Sequence, residues 1–130
     1  MTDQDLNELG VQQRRVLEIV WERNGATVQD VLDKLNAESD KPNLAYTTIL
    51  ATMQKLEKSG WLRHEQSNRA YVYKATQSRR QAIGTSLRTF VETFLGGNKM
   101  LLFQHFVEDT PLSEDELNEI RAMIKKKAKK

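Results

Sequence analysis

The sequence predicts a mainly α protein with one small β-hairpin, organised as a winged helix-turn-helix domain followed by a C-terminal helical region. Three observations lead there. Apolar residues recur at helical spacing in three segments before Gly60. The period then changes to two between Trp61 and Lys74. After that a helical stripe returns from Ile83 to Leu95, stronger than any before it.

Leu9, Val16, Leu17 and Val20 define the first helix, with Ile19 and Trp21 adding apolar bulk beside the stripe. Gly25 is expected to end it in the left-handed conformation that glycine tolerates best. Thr27-Val28-Gln29-Asp30 has capping-box form and opens a second helix whose inward face is Val28, Val31, Leu32 and Leu35. The polar, proline-containing stretch Ser39-Asp40-Lys41-Pro42-Asn43 reads as a loop. A third helix, from about Ala45 to Ser59, turns Ile49, Met53 and Leu56 inward and is closed by Gly60. Trp61–Glu65 and Ala70–Lys74 are β-prone runs around the polar turn Gln66-Ser67-Asn68-Arg69, with Asn68 suited to a positive φ. Because Tyr71 and Tyr73 alternate with Val72, both tyrosines are expected to pack rather than to contact a partner.

In the C-terminal third, Ile83, Leu87, Phe90, Val91, Phe94 and Leu95 form one continuous helical stripe, ended by Gly96-Gly97. A short helix follows, apolar on most sides, carrying Met100, Leu101, Leu102, Phe103, Phe106 and Val107. Beyond Pro111, Ser113-Glu114-Asp115-Glu116 is a second capping box opening a last helix with Leu117, Ile120 and Ile124 inward. The lysines from Lys125 to Lys130 are expected to fray. The domains expected are a winged helix-turn-helix over 7–76, a helical dimerisation region over 77–126 and a flexible lysine tail over 127–130.

Composition narrows the function. At 130 residues, 38% hydrophobic and 29% charged, the chain is long enough for a core and needs no metal or disulfide staple. Without cysteine there is no disulfide, thiolate metal site, thiol redox sensor or cysteine nucleophile. No apolar run approaches a membrane span, and Met1–Gly10 is acidic and polar, so a cytoplasmic protein without a membrane partner is expected. His64 and His105 have no partner set nearby in sequence, and no glycine-rich phosphate loop or nucleophile elbow is present. The expectation is therefore no enzyme, no catalytic residue, no metal site and no cofactor.

The net charge of +2 conceals a segregation. Met1–Asp40 holds four basic and nine acidic residues, a net of −5. Lys41–Arg88 holds nine basic and two acidic, a net of +7, and Thr89–Lys130 is neutral. A central segment so one-sided suits a surface that meets a polyanion.

Several stretches in order resemble the penicillinase-repressor family of bacterial regulators (the BlaI/MecI type, with the CopY repressors as relatives). They are Val16-Leu17-Glu18-Ile19-Val20-Trp21, Ala26-Thr27-Val28-Gln29-Asp30-Val31, Thr47-Thr48-Ile49 and Leu56-Glu57-Lys58-Ser59-Gly60-Trp61-Leu62. Arg69-Ala70-Tyr71-Val72-Tyr73, Phe94-Leu95-Gly96-Gly97 and Leu112-Ser113-Glu114-Asp115-Glu116-Leu117 extend the match. The resemblance implies a homodimeric transcriptional repressor whose winged helix binds operator DNA and whose C-terminal helices dimerise. In members governing β-lactam resistance, a membrane-sensor pathway cuts an Asn-Phe bond in the penultimate helix. The matching dipeptide is His105-Phe106: the resemblance implies a regulatory protease as partner at this site, and the replacement of the asparagine by His105 departs from the family's cleavage pattern. The cysteine metal motif of the copper-responsive relatives is absent.

On that reading the third helix enters the major groove of double-stranded DNA. Thr47 and Thr48 can reach phosphate, Gln54 can read an adenine edge, and Tyr46, Leu50 and Ala51 can lie against thymine methyls. The family pattern has a basic residue at the position of Leu50, which implies a different base preference here. Lys55 and Lys58 suit phosphate, and Asn68 and Arg69 on the wing suit a flanking backbone or the minor groove. Dimerisation is expected through Ile83, Leu87, Phe90, Val91, Phe94, Leu95, Leu101, Leu102, Phe106, Leu117, Ile120 and Ile124. Leaving such side chains in water forgoes about 1.5–3 kcal/mol each. The dimer would read a pseudo-palindrome with half-sites one helical turn apart, or a multiple of it. The alternative is a winged helix serving as a protein–protein interaction module, which has no need of such concentrated positive charge.

Overall fold

The computed structural model describes residues 4–40 and 43–129. Lys41 and Pro42 of the expected loop, Met1–Asp3 of the acidic start and the terminal Lys130 lie outside the described residues. A short 3-10 turn, Leu6–Glu8, precedes α1 (Val11–Arg23), α2 (Val28–Glu38) and α3 (Tyr46–Lys58). The hairpin β1 (Leu62–Ser67) and β2 (Ala70–Ala75) follows, then α4 (Arg79–Leu95), α5 (Lys99–Asp109) and α6 (Glu114–Ala128). Two compact units divide within α4, after Thr89.

In the first unit the three inward stripes meet. Val16, Leu17 and Ile19 of α1, Val31 of α2, and Ile49 and Met53 of α3 are fully buried. Ile19, expected beside the stripe, is as deep as the rest because α1 packs against α2, α3 and β2 at once. Leu9 lies ahead of α1, not on it, and covers the core only partly. The left-handed residue that ends α1 is Asn24 (φ 55°), with Gly25 (φ 119°) one step later. Asparagine tolerates that region through its short polar side chain, so the glycine was not needed for the cap itself. The Thr27–Asp30 box forms as expected, both reciprocal hydrogen bonds being 3.0 Å.

The hairpin is held from below. Trp61, Leu62 and Tyr73 are buried, and β1 and β2 pair antiparallel from Leu62↔Ala75 to Ser67↔Ala70. The strands run further than the alternation suggested, leaving a two-residue turn, Asn68-Arg69, in place of four residues; Asn68 has φ 57°. Tyr73 also exchanges backbone hydrogen bonds of 3.0 and 2.8 Å with Ala26 in the α1–α2 connection. That bridge ties the wing to the start of α2.

In the second unit Gly96 (φ 59°) and Gly97 (φ 82°) end α4, and the Gly97 amide returns to the Val91 carbonyl at 3.1 Å. Two positive-φ residues in succession are a conformation glycine adopts without a steric penalty. The Ser113–Glu116 box opens α6, with the Glu116 amide donating to Ser113 Oγ at 3.1 Å. Hydrogen bonds from the Ser113 backbone and then its hydroxyl hold the Glu116 carboxyl below the usual range. The expected fraying does not begin at Lys125: Lys125, Lys126 and Lys127 are the last helical turn. Cations there oppose the partial negative charge of the helix end. Among the described residues, no helix is long and apolar enough to cross a membrane.

Candidate nucleic-acid interface

The start of α3 differs from those of α2 and α6. Its cap residue is Ala45, which offers no side-chain oxygen, whereas Thr27 and Ser113 close the other two. Ala45 O accepts from Thr48 N and Ile49 N at 3.1 and 3.3 Å. The amides of Tyr46 and Thr47 have no acceptor among the described residues and remain open to an anion. The approach to α3 is fixed by Asn36, whose Oδ1 accepts from Leu44 N at 3.1 Å.

With Ile49, Met53 and Leu56 locked in the core, the helical period places Thr47, Thr48, Ala51, Gln54, Lys55 and Lys58 in solvent, as expected. Tyr46 is half-exposed. Leu50 differs: it is partly buried against the core, so only part of its side chain is available to a partner. Asn68 and Arg69 are exposed at the wing tip. Between α3 and the wing lies a cleft lined by Gln29, Tyr46, Leu50, Arg69 and Tyr71, which places the helix N-terminus and the wing tip on one surface.

The cations of α3 and the wing fall into two groups. Arg63 and Lys74, cross-strand neighbours, both engage Glu65 at 2.6 and 3.3 Å. The Arg63 hydrogen bond, then that of Lys74, holds the Glu65 carboxyl below the usual range. Lys55, Lys58 and Arg69 make no ion pair among the described residues.

Two contacts here had no local sequence signal. His64 Nδ1 lies 2.6 Å from Glu57 Oε2, joining β1 to α3. Its ring stacks on Tyr71 with centroids 4.4 Å apart. The two tyrosines therefore part company: Tyr73 is buried, its hydroxyl pushed above the ordinary tyrosine range by desolvation, while Tyr71 is half-exposed. Tyr71 packs on His64 and not into the core. The clue available was the cross-strand register, which set His64 opposite Tyr73 and diagonal to Tyr71, two residues along on the same face.

Of the residues expected to dimerise, Ile83, Leu87, Phe90, Phe94, Phe106 and Ile124 are exposed, Phe94 by 69%. Leu95, Leu101, Leu102, Leu117 and Ile120 are partly covered. Val91 is buried within its own chain. His105 and Phe106 are exposed within α5, His105 Nδ1 lying 2.8 Å from Asp109 Oδ2. A bond inside a helix reaches a protease only when that turn opens. No group of three or more metal-ligating side chains occurs among the described residues.

Among solved structures, the reduced form of MarR from E. coli aligns over 92% of this chain and 78% of its own, with TM-score 0.48 and 16% identity. The transcriptional regulator BlaI of Mycobacterium tuberculosis is 29% identical over 121 residues, covering 92% of this chain and 84% of the relative. The methicillin resistance regulatory protein MecI of Staphylococcus aureus is 22% identical over 125 residues, 96% of this chain and 99% of its own. The penicillinase repressor of Bacillus licheniformis is 24% identical over 109 residues, 84% and 83%. A family model described as penicillinase repressor matches residues 9–126, about nine-tenths of the sequence. By that match, this chain belongs to the penicillinase repressor family.

Proposed function

We propose that this chain is a cytoplasmic transcriptional repressor that binds a pseudo-palindromic DNA operator as a homodimer. The observation that carries the reading is the exposed face of α3: open first-turn amides, two threonines, a glutamine and two unpaired lysines on one surface with the wing-tip arginine. An anion meets the amides at one end of the helix, and the amide side chain of Gln54 reaches base edges. Lys55, Lys58 and Arg69 take phosphates and set the register.

Homodimerisation through the C-terminal helices belongs to the same reading. It is supported by the line of exposed apolar side chains on α4, α5 and α6, for which a second copy offers a matching surface. The test is a footprint on the DNA upstream of the protein's own gene, followed by anisotropy titrations on the protected duplex and on random duplex. Wild-type protein should prefer the protected site. Gln54→Ala should erode that preference by about 1–3 kcal/mol for each bidentate base pairing removed, with little change on random DNA. Equal binding to both duplexes by the wild type would favour a protein-interaction module instead.

A further inference from the structure

A second feature lies away from α3 and the wing, entirely within the first unit. Leu6 of the 3-10 turn, Val11 and Trp21 of α1, and Ile83 of α4 line a cleft of about 280 Å³. Leu6 and Trp21 pack partly against the core, whereas Val11, 77% exposed, and Ile83, 39% exposed, do not, so apolar groups from three segments converge there with two of them left uncovered. The Trp21 ring is fixed in place: its Nε1 donates to the Gln77 carbonyl at 3.0 Å, leaving the ring as an oriented apolar wall.

The rim is charged, and its charges are unevenly satisfied. Arg15 is committed to Glu38 and lies 3.9 and 3.6 Å from Glu18 and Glu22. The Glu18 carboxylate on the rim is therefore answered by Arg15. Arg14 and Arg79, the other two cations lining the cleft, make no ion pair among the described residues. Arg79 stands in the first turn of α4, where the helix itself favours an anion over a cation. An apolar slot with a fixed indole wall and two uncompensated guanidinium groups complements an anion with an apolar body. Guanidinium binds carboxylate through paired, charge-assisted hydrogen bonds. The volume is at the lower end of the ~300–1,000 Å³ usual for ligand sites, enough for a single ring and too small for a nucleotide.

We infer that this cleft binds a small aromatic monocarboxylate, its ring against Trp21 and its carboxylate between Arg14 and Arg79. The inference uses no residue of α3 or the wing and so does not rest on DNA contact, although it shares Ile83 with the stripe assigned above to dimerisation. The test is a titration of the full-length protein with benzoate, followed by nuclear magnetic resonance at the two indole N–H signals. Trp21→Phe assigns them, and Trp61, buried beneath the wing, serves as the control. Benzoate should shift the Trp21 signal saturably and leave Trp61 still, while neutral benzyl alcohol should produce no saturable shift. The double variant Arg14→Gln/Arg79→Gln removes only exposed side chains. It should keep the Trp61 signal, which reports the intact fold, and weaken benzoate at least ~tenfold. The inference is overturned by no saturable shift up to about 10 mM benzoate. Equal binding of benzyl alcohol, or undiminished binding by the double variant, overturns it as well.

Discussion

The salt dependence of DNA binding can be worked from the ion pairs. Arg63 and Lys74 are held by Glu65, so the cations free to meet phosphate on the α3–wing surface are Lys55, Lys58 and Arg69. A dimer brings two sets. Six phosphate contacts at a slope of about −0.9 each predict log K against log salt falling with a slope of about −5. Raising salt from about 50 to 200 mM should then lower affinity roughly a thousandfold. Arg69→Ala removes one phosphate partner per protomer, so its slope should be shallower by about 2, with the same weakening on specific and random duplex. Fluorescence anisotropy at four or five salt concentrations measures both slopes. A wild-type slope shallower than about −2, or a slope that Arg69→Ala leaves unchanged, refutes the assignment of these side chains to phosphate.

Three further outcomes are expected. Phe94→Glu places a charge on the most exposed aromatic of α4 and should raise the dimer dissociation constant at least ~100-fold, two phenylalanines at ~1.5 kcal/mol each, measured by sedimentation equilibrium. Thr27→Ala breaks the box that opens α2 and should cost about 1 kcal/mol in urea unfolding, while Thr27→Ser should cost almost nothing. Glu116 has a folded-state pKa depressed below its unfolded value of 4.5, so its contribution is complete above that pH and is lost as pH falls through the lower folded value. Circular dichroism followed from about pH 5 down to about pH 2, a span that brackets the carboxylate range, should show a larger loss of helix in wild type than in Glu116→Gln, whose remaining loss comes from other carboxylates such as Glu65.

How far the fold was legible follows from what each signal measures. Capping boxes are local, and both formed where the residues allowed them, at Thr27–Asp30 and Ser113–Glu116. The stripes Val28, Val31, Leu32, Leu35 and Ile49, Met53, Leu56 are covered because each helix lies on a shared core, which periodicity does report. What the local pattern missed was tertiary. Ile19 is buried by a third neighbour, the Ala26–Tyr73 bridge joins residues with no common motif, and Tyr71 leaves the core because His64 offers its ring a nearer surface. On the site, the exposed face of α3 was readable from the helix period once its inward residues were chosen. The partial burial of Leu50 and the capture of Arg63 and Lys74 by Glu65 were not, since both depend on cross-strand and helix-to-core geometry.

A stripe records that one side of a helix is apolar and is silent on what covers it. Ile49 and Phe94 occupy equally good positions in their stripes, yet one is fully buried and the other is 69% exposed. The difference bears on the DNA chemistry. Three free cations on a lone wing give a slope near about −3, and affinity from so few phosphate contacts is weak at physiological salt. Joining two such wings doubles the phosphates engaged without adding a residue, because binding of the second half-site becomes intramolecular. On the proposed function, the apolar face of α4 to α6 and the basic face of α3 are coupled requirements. Phe94→Glu, far from any phosphate-binding residue in sequence, should therefore bring the salt slope of DNA binding to about half its wild-type value. A monomeric Phe94→Glu protein that retained the full slope would separate the two faces and leave the basic one to act alone.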